Sequence, residues 1–188
     1  MNELLEAAKQ LQDVVLAEGW KFCFIGGLAL QRWGEPRFTR DVDITLLTGF
    51  GNEETYVDRL LELFPARIKS AREFALMNRV MLLTSREGVG LDIAMGALPF
   101  EESAVSRATY FEYASDAYLL TCSAEDLVIM KAFASRSQDW VDVEGIMIRQ
   151  QGKLDKTYIT QHLRTLCEVK EDLTILSRLE ELFERHSC

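Results

Sequence analysis

Residues 24–44 read FIGGLALQRWGEPRFTRDVDI, and the reading of this stretch decides the fold. It begins as the end of a buried strand, breaks at Gly26-Gly27, and continues as a brief helix from Leu28 to Trp33. A turn at Gly34-Glu35-Pro36 follows, and then a strand that opens with Asp41 and Asp43. Strand side chains alternate faces, so the two aspartates point one way while Val42 and Ile44 point into a core. A glycine turn offers bare backbone N–H groups to phosphate, and paired carboxylates offer hard oxygen to a divalent cation. Together they suggest a site for metal and nucleotide.

Working outward, residues from about Asn2 to Glu18 carry Leu4, Ala8, Leu11 and Val15 at helical spacing, with Gly19 as terminator. Phe22 to Ile25 is a short apolar strand, and Asp41 to Leu47 the next one. A helix from Glu53 to Phe64 stops at Pro65. Strands are expected at Val80 to Thr84 and Val89 to Met95, a short helix at Phe100 to Ser106, and two more strands near Thr109 to Tyr113 and Ala117 to Thr121. From Ser123 onward the pattern is helical. Ser123 is a suitable N-cap with Asp126 three residues on, and further helices are expected at Asp139 to Arg149, Lys156 to Val169 and Asp172 to Arg185. Strands mixed with helices, then helices alone, predict an α+β core over 1–122 with a C-terminal helical region over 123–188 packed on it. The boundary reads as a change of architecture within one compact unit.

The formal net charge of -9 over 188 residues argues against loose, charge-driven binding to nucleic acid or anionic membranes. A local basic patch remains compatible with it. No apolar run is long enough to span a bilayer, and the first residues lack the pattern of a signal peptide. Cys23, Cys122, Cys167 and Cys188 are scattered with no Cys-x-x-Cys pair, so a reducing cytoplasm is the default expectation.

Several alternatives for the aspartate and glycine signals fail on inspection. An EF-hand starting at Asp41 would need Gly and Glu where Leu46 and Asn52 stand. No Gly-Lys-Ser/Thr follows the glycines, so there is no Walker loop. Glu54 stands where a dinucleotide fingerprint after Gly49 and Gly51 needs its third glycine. Asp92, framed by Leu91 and Ile93, supplies a candidate third carboxylate for metal or base. The plainer explanations are solvated acids at strand ends and a glycine turn used only for chain reversal. Lys131 shares one helical face with Leu127, Met130 and Ala134, so its ammonium emerges from an apolar stripe. That marks either a phosphate ligand or a snorkelling rim residue. His162 and His186 lack metal-ligand spacing and read as surface residues.

Gly26-Gly27 followed by Arg37-x-Thr39-x-Asp41-x-Asp43 closely resembles the signature of the DNA polymerase β-like nucleotidyltransferase superfamily. Ser123-x-Glu125-Asp126-Leu127, then Lys131, Arg136, Asp139 and Asp142-Val143, is similar to the second signature of its AbiEii-type branch, which includes toxins of type IV toxin–antitoxin pairs. The resemblance runs from about Phe22 to Arg149. It implies a nucleotidyltransferase-type mixed sheet flanked by helices, and Mg²⁺ or Mn²⁺ held by Asp41, Asp43 and Asp92. It further implies an NTP bound through Gly26, Gly27, Arg37, Thr39 and Lys131, with Arg136, Asp139 and Asp142 in support. Gly27 departs from the serine common in the superfamily and offers no hydroxyl to a phosphate. The implied reaction moves a nucleoside monophosphate onto a hydroxyl acceptor, such as tRNA or other RNA, a protein or a small molecule. An antitoxin protein is an implied partner, and no membrane is. The alternatives are a non-catalytic nucleotide- or protein-binding member of the fold, and a metal-dependent phosphohydrolase.

Overall fold

The computed structural model describes residues 3–186. Asn2 and Cys188, which figure in the expectations above, lie outside the described residues. Contacts group the chain into two compact units: Met1–Leu28 with Phe38–Cys122, and Ala29–Arg37 with Ser123–Cys188.

The first unit is built on a six-stranded mixed sheet of β1 (Phe22–Phe24), β2 (Asp41–Leu47), β3 (Val80–Thr84), β4 (Gly90–Gly96), β5 (Thr109–Ala114) and β6 (Ala117–Thr121), in the order β3-β4-β2-β1-β6-β5. Strands β2 and β4 pair in parallel, and β1 runs antiparallel to β2 at the centre of the sheet. Alternation decides what each face carries. Val42, Ile44 and Leu46 from β2 join Leu91, Ile93 and Met95 from β4 in the core. That core is closed by Leu4, Ala7, Ala8, Leu11 and Val15 of α1 (Glu3–Ala17) and by Val57 and Leu60 of α3 (Glu53–Leu63). The intervening β2 positions, Asp41, Asp43 and Thr45, therefore share the opposite face.

Both sheet edges are modified. On the β3 side, Ala66 bridges to Leu83, Arg67 N–H donates to the Leu82 carbonyl at 3.0 Å, and Thr84 N–H donates to the Pro65 carbonyl at 2.9 Å. Residues 65–67 thus form a short extra rung. On the other side, β5 is exposed over Thr109–Glu112 and its pairing with β6 shifts register between Glu112 and Ala114.

Helix α2 (Gly26–Trp33) starts on the two glycines themselves, two residues earlier than expected, and Gly26 turns the chain into it with a left-handed φ of +57°. A helix α4 (Ala71–Asn78) fills a stretch for which the sequence had given no element, and α5 (Pro99–Ser106) lies where a short helix was expected.

The second unit holds α6 (Ala124–Ala134), α7 (Ser137–Gln150), α8 (Lys156–Lys170) and α9 (Thr174–Arg185). Ser123 caps α6: its hydroxyl accepts from Asp126 N–H at 3.1 Å and donates to the Asp126 carboxylate at 2.6 Å. Asp126 is fully buried and also accepts from Tyr158 Oη at 2.7 Å, which ties α6 to α8. Residues 29–37 belong with these helices. Arg149 donates to the Gly34 carbonyl, Gln150 Nε2 donates to the Trp33 carbonyl at 2.8 Å, and Gly34 lies so close to Ile146 that a Cβ would stand 2.9 Å from its Cγ1. Both histidines are partly exposed and engaged, His162 against the Tyr158 ring and His186 Nε2 at 2.9 Å from Glu144 Oε1. Cys23, Cys122 and Cys167 are buried with no disulfide joining them. Among the described residues, no helix is long and apolar enough to cross a membrane.

Candidate active site

Strand register brings the three candidate carboxylates together. In the parallel β2–β4 pair Asp43 stands opposite Asp92 and Asp41 stands opposite Gly90, so Asp41, Asp43 and Asp92 occupy neighbouring positions on one face. All three are partly exposed, as a ligand site requires.

The glycines meet this face from the next element. Ile25 N–H donates to the Asp43 carbonyl at 3.0 Å, which lays the start of α2 against the middle of β2. A Cβ on Gly26 would overlap the Asp43 carboxylate, standing 2.6 Å from its Cγ. A Cβ on Gly27 would stand 2.6 Å from the Cβ of Thr39. Thr39 in turn donates its hydroxyl to the Asp41 carbonyl at 3.3 Å, holding the loop that enters β2. The glycines therefore leave space for the neighbouring side chains and present the first backbone N–H groups of a helix beside Asp43.

Gly26→Ala should cost activity out of proportion to stability. The left-handed φ penalises any Cβ by about 1–2 kcal/mol. The steric overlap moves Asp43, and a misplacement of ~1 Å at a reacting site costs about a hundredfold in rate. Nucleotide-transfer rates and unfolding midpoints of the variant and the parent check this directly.

Two residues of the site escaped the sequence reading. Arg67, delivered by the rung on β3, donates from Nη1 to Asp41 Oδ1 at 3.1 Å and from Nη2 to Asp92 Oδ1 at 2.5 Å. Gly90, opposite Asp41, leaves the space that Arg67 fills, since a Cβ there would overlap both Asp41 Oδ1 and Arg67 Nη1. A glycine inside a strand, two residues before Asp92, was the available signal for close approach. Burial pushes the Asp92 carboxyl above the usual carboxylate range; Arg67 pulls it back, and the nearby Asp41 charge adds to the rise.

The remaining predicted site residues form a separate cluster in the second unit. Lys131 is buried, and its ammonium donates to Asp142 Oδ2 at 2.6 Å and Asp139 Oδ1 at 3.3 Å. Arg37 forks onto Asp142, from Nε to Oδ1 at 3.1 Å and from Nη2 to Oδ2 at 3.1 Å. Arg136 Nε donates to Asp139 Oδ2 at 2.6 Å, and Gln138 Nε2 donates to Asp142 Oδ1 at 3.1 Å. Burial raises the Asp142 carboxyl, but the bonds from Arg37, Lys131 and Gln138 outweigh it and hold the group below its ordinary value. This is a closed ion network joining α6, α7 and the segment before β2.

A cleft of about 560 Å³ lies at the other end of β2, lined by Trp20, Lys21, Phe22, Leu47, Glu102 and Leu120 among others. The candidate carboxylates stand at the Asp41 end of the strand, away from this cleft.

A mixed sheet with a glycine-opened helix beside paired aspartates is the arrangement that the sequence resemblance to nucleotidyltransferases implied. The family described as nucleotidyl transferase AbiEii toxin, type IV TA system, matches residues 11–186, so the chain belongs to the AbiEii nucleotidyltransferase family. No curated protein sequence matches the chain. Solved structures share its fold at low identity. An antigenic nucleotidyltransferase-like protein from Paracoccidioides brasiliensis is 16% identical with a TM-score of 0.54, over 93% of this chain and 92% of that one. ANT(2")-Ia in complex with adenylyl-2"-tobramycin is 11% identical with a TM-score of 0.58, over 90% and 99%. The lincosamide antibiotic adenylyltransferase LnuA, lincomycin-bound, is 15% identical with a TM-score of 0.50, over 73% and 94%.

Proposed function

We propose that the chain transfers a nucleoside monophosphate from an NTP to a hydroxyl acceptor with the help of Mg²⁺ or Mn²⁺. The observation that carries this is the register placing Asp41, Asp43 and Asp92 on one face beside Gly26 and Gly27. The donor set suits the metal: Mg²⁺ is bound through one or two carboxylates together with substrate phosphates, not in all-protein cages. Among the described residues no group of three acidic, histidine or cysteine side chains could hold a metal ion, so in this reading the substrate phosphates must supply the further oxygens. Asp41 and Asp43 would hold the metal, with Asp92 beside them, and the metal would supply charge neutralisation on the phosphates.

The chain's own contributions follow from position. The first N–H groups of α2, left open by Gly26 and Gly27, hold phosphate oxygens at the positive end of the helix. Thr39 fixes the loop that aims Asp41. The acceptor hydroxyl attacks the α-phosphorus, the bond between the α-phosphorus and the bridging oxygen breaks, and pyrophosphate departs. In this reading Asp92 takes the acceptor proton. We give Arg37 and Lys131 a supporting place beside Arg136, Asp139 and Asp142, because both are already engaged by Asp142.

The family description names a toxin of a type IV toxin–antitoxin system, which supports an antitoxin protein as partner; RNA is the first acceptor class of this reading. ANT(2")-Ia and LnuA were captured with an adenylylated aminoglycoside and with lincomycin, which makes a small hydroxylated acceptor the second reading. Labelled NTPs offered with tRNA, total RNA, protein and aminoglycosides decide between them. Transfer to RNA supports the first, and transfer confined to the drugs supports the second. Release of free nucleoside monophosphate with every acceptor omitted would mark a phosphohydrolase instead.

A further inference from the structure

Arg67 lies outside every motif of the sequence, yet the fold goes to some length to deliver it. Its backbone is fixed by the Arg67 N–H to Leu82 carbonyl bond and by the Ala66–Leu83 bridge. Leu82 pairs with Asp92 across β3 and β4, so the rung stands level with the carboxylates. From there the side chain crosses β3 and ends between two strands. One nitrogen is on Asp41 of β2 and the other on Asp92 of β4. An arginine paired for stability alone commonly forks onto a single carboxylate. Here one guanidinium bridges two carboxylates on neighbouring strands, and Gly90 leaves the space for it.

We propose that Arg67 is an intramolecular counter-cation of the carboxylate cluster, a positioning residue that keeps Asp41 and Asp92 together and that a divalent ion must displace in order to bind. This rests on the reading of Asp41 as a metal ligand with Asp92 beside it in the same site. A guanidinium stays charged throughout the physiological range, so the competition cannot be relieved by deprotonation. The ion and Arg67 seek the same oxygens, and affinity for the ion is reduced by whatever holds Arg67 in place. The metal site is then at full strength only when substrate phosphates add their own oxygens, which couples metal loading to nucleotide binding.

Arg67→Gln removes the charge and keeps a polar side chain, while Arg67→Lys keeps the charge but cannot span both carboxylates. Titration of each protein with Mn²⁺ alone, followed by the loss of the free-ion electron paramagnetic resonance signal, reads the competition without any turnover. The expected result is about tenfold tighter Mn²⁺ binding by Arg67→Gln than by the parent, with Arg67→Lys in between. Arg67→Lys serves as the test if Arg67→Gln does not fold. Equal or weaker Mn²⁺ binding by the variants overturns the proposal. If Arg67→Gln weakens NTP binding while Mn²⁺ affinity stays unchanged, Arg67 is a phosphate ligand and the proposal is wrong. Should parent and variants all fail to take up Mn²⁺ while transfer proceeds in a chelator, the metal reading itself falls. Unchanged Mn²⁺ affinity in proteins that do bind it and transfer nucleotide sinks only the role given to Arg67.

Discussion

Asp43→Asn should lower the kcat/KM of nucleotide transfer by at least about a thousandfold, since metal stabilisation of phosphoryl charge is worth several kcal/mol and each ~1.4 kcal/mol is tenfold in rate. The substitution keeps the shape of the side chain and removes one charge. Asp43 abuts the opening of α2 and faces Asp92 in register, so it stands where phosphate, metal and base converge in the proposed reaction. The core below it is built by Val42, Ile44 and Leu46, which the substitution does not touch. The thermal midpoint of the variant should therefore stay within a few degrees of the parent's. Undiminished transfer by a folded Asp43→Asn protein would place the chemistry elsewhere on the chain.

Lys131→Met should produce the opposite split, with stability falling first. The methionine preserves the apolar stem on the α6 face and deletes the ammonium. That leaves Asp139 and Asp142, both buried, short of one donor each. Breaking a buried ion pair from one side costs about 3–5 kcal/mol. Arg136 still serves Asp139, and Arg37 with Gln138 still serves Asp142, so the lower end of that range is expected. Urea unfolding at pH 7 measures the loss. The pH dependence carries a sign that can be checked too. Asp142 is held below its ordinary value, so its contribution is present above the unfolded carboxylate pKa of about 3.9 and is lost as pH falls through the lower folded value. The stability gap between parent and variant should therefore narrow in acid. A variant as stable as the parent, but with a raised KM for NTP, would return Lys131 to the nucleotide.

The chain shows which parts of such a fold can be read in advance. β2 was legible because its alternation of polar and apolar residues runs from Asp41 to Leu46 before Leu47 breaks it. The helix boundary at Ser123 was legible because capping is local chemistry. The Arg136–Asp139 pair could be anticipated from its spacing of three residues, whereas the partners of Lys131 lie on the next helix, eight and eleven positions on, and a phosphate was expected in their place. What could not be read depends on reach across the sheet. Arg67 finds Asp92 from 25 positions away through a strand that separates them, and no spacing rule encodes that. Gly90 looked like an ordinary strand residue until its partner across the ladder was known. The grouping of residues 29–37 with the C-terminal helices rests on Arg37, Gly34 and Trp33 meeting residues more than a hundred positions later.

The rung formed by residues 65–67 also bears on how the protein behaves in concentrated solution. An uncovered strand edge is a template on which other chains can polymerise, and native sheets blunt such edges. At β5 the register shift beside Glu112 does this. At β3 the task falls to Pro65, Ala66 and Arg67. Loosening that segment would expose a row of unpaired backbone groups at the moment it releases the guanidinium from the carboxylates. On the proposed role of Arg67, protection of this edge and restraint of the carboxylates fall to the same three residues.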